Sequence, residues 1–231
     1  MKEVDVDAIL QSVQLPAAPR PETLDRVSAI MQKSLRPVRP LPPAWLLTTG
    51  LFLAGASVAL AGAARAGFDG LHKMAPWESA LIFPTLVVFM LLAASALVKS
   101  VIPGARRRVS STLLLGLGVL ALLAAFALSF RDYQVSNFVS AGVACLITGL
   151  LHALPVALLI ALLLRRGFAV RPVAAGWIAG MLAGLAGVGV LELHCVNFEA
   201  AHVLVWHTAV IPVSGAVAAL AAALWHRLRN R

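Results

Sequence analysis

The chain has 231 residues, of which 60% are hydrophobic and 13% charged, and its mean hydropathy is +0.89. Soluble domains carry about 45–50% apolar and about 25% charged residues, so this composition excludes an ordinary soluble fold and implies a multi-pass membrane protein. The net charge of +9 does not signal direct nucleic-acid binding, because the basic residues sit in short clusters between apolar runs and form no continuous basic face.

In chain order, Val6, Ile9, Leu10 and Val13 fall at the spacing of one helical face, and Pro16, Pro19 and Pro21 end that run. A second soluble helix is expected from Pro21, which suits a first helical turn. Glu22 and Asp25 fit its positive end, and Lys33 and Arg36 its negative end. Leu24, Val27, Met31 and Leu35 line one face of this helix, with Ile30 at the edge. A helix of fewer than four turns is marginal alone, so the stripe needs a surface to pack on. That surface is either the membrane and its embedded domain or a groove on a soluble partner. The segment RPVRPLPP at 36–43 cannot continue a helix and favours extended polyproline geometry, a spacer of about 3 Å per residue.

Six apolar segments follow, at 44–64, 77–98, 110–130, 141–164, 172–192 and 204–225. Each is long enough to cross a hydrocarbon core of about 30 Å. The first is preceded by 43 residues, so it is read as a span and not as a cleaved signal sequence. Lys and Arg divide 16 to 3 between alternate connections, which puts both termini in the cytoplasm. The reading is therefore an all-α membrane protein: a cytoplasmic segment over 1–43, six transmembrane helices over 44–226, and a tail over 227–231.

Within the spans, Gly176, Gly180 and Gly184 recur every four residues and form a seam for close helix approach. Pro84, Pro155 and Pro212 fall in the second, fourth and sixth spans, where each frees a backbone carbonyl. Cys145 lies twenty residues before Arg165 and Cys195 twenty-four after Arg171. At 1.5 Å per residue both sit roughly 30–36 Å from the cytoplasmic edge, at the outer boundary. A disulfide between them is permitted, and so is the reading of two unrelated small apolar residues. Around Cys195 stand Glu192, His194, Glu199, His202 and His207, which are ligand types for zinc or copper at a spacing that matches no established site. No metal or other cofactor is therefore expected, and His194, His202 and His207 are the weak candidates. His152, beside Pro155, reads as a neutral histidine filling a kink.

No phosphate-binding glycine loop, paired carboxylates or motif-placed nucleophile is present, so no catalytic residue is assigned. The spans also lack the buried charges of an ion-coupled transport path. A binding and regulatory protein, a small permease or channel, and a membrane redox protein remain as alternatives.

Several features taken together resemble one family. They are LRPVRPLPP at 35–43, a cysteine early in the fourth span, RRG at 165–167, AGWIAG at 175–180, and LHC at 193–195 followed by His202 and Trp206. Their order and spacing are similar to the NrsF family of bacterial integral-membrane anti-sigma factors, over roughly residues 30–231; the first 20 or so residues extend beyond that pattern. The resemblance implies a six-span inner-membrane protein whose N-terminal segment holds an extracytoplasmic-function sigma factor away from RNA polymerase. It implies that Leu24, Val27, Ile30, Met31 and Leu35 form the partner-binding face, and that redox or heavy-metal stress is felt through Cys145 and Cys195.

Overall fold

Each long apolar run becomes one helix in the computed structural model, which describes residues 20–34, 42–102, 110–164 and 171–229. The chain divides into two units, Met1–Leu41 and Pro42–Arg231. In the first, α1 spans Pro21–Ser34, with Pro21 opening it, Glu22 in its first turn and Lys33 in its last. Its apolar stripe is open: Leu24, Val27, Ile30 and Met31 are 47–61% exposed. The expected helix around Val6–Val13, the side chain of Leu35 and the tether as far as Leu41 lie outside the described residues. So do the loop arginines Arg106, Arg107, Arg108, Arg165 and Arg166.

Among the described residues, the second unit holds six helices long and apolar enough to cross a membrane. They are α2 (Ala44–Ala66), α4 (Pro76–Val101), α5 (Ser111–Ser129), α6 (Phe138–Leu164), α7 (Pro172–His194) and α8 (Ala200–Arg229), with a short α3 (Asp69–Lys73) between the first two. Each overlaps an expected span. The last begins four residues earlier than expected and stays helical through Arg229, taking in the start of the expected tail. Local chemistry sets several of the starts. Pro76 and Pro172 occupy first-turn positions whose N–H would be unpaired anyway, and the Glu78 carboxylate accepts the Ala75 N–H at 2.8 Å.

Outward-facing leucines such as Leu53 and Leu60 on α2, Leu117 and Leu120 on α5, and Leu151 and Leu158 on α6 are exposed. An apolar exterior of this extent is suited to hydrocarbon and would not be stable against water. Trp45, Trp77, Trp177 and Trp225 are partly or largely exposed near helix ends, where an indole suits the headgroup layer.

α7 is the centre of the bundle and packs against α2, α3, α4, α6 and α8. Its buried residues run almost without break from Ile178 to Leu193. The glycine seam faces α8, antiparallel to it. A methyl group on Gly176 would stand 2.8 Å from the Ala218 carbonyl oxygen, and one on Gly184 would stand 2.9 Å from both the Ile211 Cα and the Val210 carbonyl oxygen. Gly180 faces the Ser214 carbonyl still more closely, and Gly187 does the same to the Gly149 carbonyl on α6. The seam is thus an internal one, where backbones meet directly. His152 donates from Nδ1 to the Thr148 carbonyl at 2.8 Å and its ring covers Gly62 on α2, a packing role.

Replacing Gly180 by Val forces α7 from α8 and is expected to destabilise the bundle by about 1–3 kcal/mol or more. Ala at Gly116 or Gly50, where the added methyl meets nothing within 4 Å, leaves it unchanged. Thermal unfolding of the detergent-purified chain reads the difference, and equal melting of the Gly180 and Gly116 variants would contradict this packing.

Candidate functional site

The start of α6, the end of α7 and the start of α8 meet at one end of the bundle. Cys145 stands in the second turn of α6, Cys195 directly follows α7, and His202 and His207 lie in the first turns of α8. The Cys145 and Cys195 sulfurs are 3.6 Å apart as free thiols, and the Cys195 Sγ lies 3.9 Å from the His202 Nε2. One potential ligand atom from each of Cys145, Cys195, His202 and His207 falls within 4.8 Å of all the others. His202 and His207 are fully buried, Cys195 is buried, and Cys145 is half-buried.

The two histidines converge because α8 is not a regular α-helix here. In an α-helix, side chains five residues apart diverge by about 140° at 3.6 residues per turn. Val203–His207 forms a π-turn, with the Thr208 N–H reaching the Val203 carbonyl. That wider turn stacks residues five apart. The His202 and His207 rings accordingly meet edge to face, with centroids 5.2 Å apart.

Glu192, in the last turn of α7, is fully buried and accepts a 2.6 Å hydrogen bond from His207 Nδ1. This fixes the tautomer and orientation of the ring. It leaves His207 Nε2 buried and, among the described residues, without a partner at hydrogen-bond distance. The other Glu192 oxygen and His202 Nδ1 are likewise buried and unpaired. Contact with the Cys145 sulfur, and then burial, hold the Cys195 thiol above its ordinary pKa, so it rests protonated near neutrality.

The loops around the cluster are tied to one another. The Ala200 N–H donates to the Asp132 carbonyl at 2.5 Å, the Ser136 hydroxyl donates to the Glu199 carboxylate, and Phe130 stacks on Phe198 with centroids 5.1 Å apart. α3 lies across the end of α7. Gly70 allows this, since a methyl there would be 2.6 Å from the Cys195 carbonyl oxygen and 2.8 Å from that of Glu192. Gly142 leaves room for Trp206, which packs on Phe138 with centroids 5.5 Å apart.

Of the residues singled out from the sequence, Cys145, Cys195, His202 and His207 come together, with Glu192 behind His207. His194 is outside this group, and Glu199 serves the loop contacts. The stripe on α1 belongs to the other unit. Sequence spacing missed the four-residue cluster because its members come from three helices and because the His202–His207 interval lies on one face only in a π-turn. The one available signal was the concentration of donor side chains between 192 and 207.

No curated protein and no solved structure matches this chain. The family model NrsF, described as negative regulator of sigma F, matches residues 32–228, a stretch that opens in the last turn of α1 and takes in all six long helices and the whole cysteine–histidine cluster; the chain belongs to that family.

Proposed function

We propose that this protein is a membrane-anchored anti-sigma factor: its N-terminal segment binds an extracytoplasmic-function sigma factor on the cytoplasmic side of the inner membrane and keeps it from RNA polymerase. The observation that carries this reading is membership of a family of negative regulators of a sigma factor, joined to six helices fit to anchor it. The division of basic residues supports cytoplasmic termini. The grip is the α1 stripe of Leu24, Val27, Ile30, Met31 and, by its sequence register, Leu35. The family match begins only at residue 32, so this assignment rests on the exposed apolar face itself. A 14-residue helix gains stability by laying such a face into a partner's groove.

The sensing end is the Cys145–Cys195 pair. Two thiols at 3.6 Å must close to about 2.05 Å to form a disulfide. With hydrogen peroxide as oxidant, the pair gives up two electrons and two protons, the O–O bond breaks, and two waters leave. The change in bundle packing would then shift the N-terminal segment between holding and releasing states.

Changing Leu24, Val27 and Ile30 together to Asp is expected to abolish co-purification of the sigma factor with the full chain, while membrane insertion and yield stay at wild-type level. Capture unchanged by the triple variant would contradict the proposed grip. A reporter fused to the amino end is expected to respond as cytoplasmic, and an external location would make capture of a transcription factor by this segment impossible.

A further inference from the structure

We propose that Cys145, Cys195, His202 and His207 are the four ligands of a single zinc-class dication, and that Glu192 is the carboxylate that positions His207 for it. This deepens the reading of the thiol pair as the sensing site, and its test does not depend on sigma-factor capture. Two thiolates and two imidazoles are the donor set of closed tetrahedral zinc sites. With Zn–S near 2.3 Å and Zn–N near 2.0–2.1 Å, tetrahedral ligands stand about 3.3–3.8 Å from one another. The sulfur–sulfur distance of 3.6 Å and the sulfur–nitrogen distance of 3.9 Å are already close to this. The whole set, within 4.8 Å, closes with side-chain movements on the order of 1 Å.

Three further observations point to a cation. The first is the His207 Nε2, a nitrogen at zero exposure with no partner at hydrogen-bond distance among the described residues. A buried polar atom left this way is costly, and a metal ion would supply the missing contact. The second is the 2.6 Å bond from His207 Nδ1 to Glu192, the carboxylate–histidine arrangement that holds a ligating ring in place. A fully buried glutamate in an apolar bundle is otherwise expensive. The third is charge. Two thiolates neutralise a dication, and the charge that remains, that of the Glu192 carboxylate, is held in its hydrogen bond with His207. With four protein ligands the ion has no open position, so the site is suited to structure or sensing and not to catalysis. The partial exposure of Cys145 provides the route of entry.

The test is a zinc titration of the full chain in detergent, reduced and freed of metal with a chelator, followed by equilibrium dialysis and elemental analysis. One zinc per chain is expected. Cys145→Ser, Cys195→Ser, His202→Asn and His207→Asn should each abolish stoichiometric binding, and His194→Asn should bind as wild type. Glu192→Gln keeps the volume and an acceptor for His207, and should weaken zinc by about 10–100-fold. Absence of stoichiometric zinc on the wild-type chain, at wild-type helicity and monodispersity, would overturn the proposal. So would full-affinity binding by His202→Asn or His207→Asn, which would reduce the cluster to a thiol pair. Should a ligand variant fold poorly, Glu192→Gln is compared at wild-type helicity and monodispersity: unchanged affinity there overturns the role of Glu192.

Discussion

The direct contact of the α7 and α8 backbones is the constraint on which the rest of the bundle depends. Gly176, Gly180 and Gly184 remove every side-chain atom from one stripe of α7, and carbonyls and α-carbons of α8 fill the space. Between helices in lipid no hydrophobic force drives association, so close packing of this kind is what remains. Because the two helices run antiparallel and are joined by only a few residues, the seam sets the separation of everything beyond its last glycine. The Cys195 sulfur and the Glu192 carboxylate at the end of α7 meet His202 and His207 at the start of α8 for this reason. Gly187 against Gly149 brings α6 and Cys145 to the same place.

Polar side chains concentrated at that one end contrast with the rest of the interior, which is built largely from Leu, Ala, Val, Ile, Phe, Met and Gly, with Ser214 a buried hydroxyl on α8. Glu192, His202 and His207 have no exposure, and each would cost several kcal/mol if left wholly unsatisfied in such a medium. The Glu192–His207 hydrogen bond offsets part of that cost, and the loop contacts through Asp132, Ser136, Glu199 and Phe198 keep the cluster covered. A bundle that only anchored a cytoplasmic segment would have no physical need of this arrangement. The proposed binding or redox chemistry at the thiols would account for it.

The spans were legible because a run of about 20 apolar residues has few alternatives in a membrane, and the helix bounds either coincide with the expected ones or differ by at most four residues. The glycine seam was legible for a similar reason: spacing by four leaves one face of a helix bare. The cluster was only half legible. Depth counting put Cys145 and Cys195 at one level, yet no count along the chain reveals that a π-turn swings His207 toward His202. The early start of α8 at Ala200 belongs to the same feature. Glu192 could be named as a candidate ligand from its type, but its role behind His207 follows only from a three-dimensional contact.

The proposed grip and the proposed sensor sit in separate parts of the chain, so regulation would require that the state of the cluster change the free energy of sigma-factor binding. Such couplings between sites typically amount to 5–150-fold in affinity. The most direct measurement is the dissociation constant of the sigma factor for the full-length protein in lipid nanodiscs, compared between the reduced metal-free, zinc-loaded and Cys145–Cys195 disulfide states. The account predicts that at least two of these states differ by about tenfold or more, equivalent to about 1.4 kcal/mol. Sigma-factor binding of equal strength in all three would contradict it.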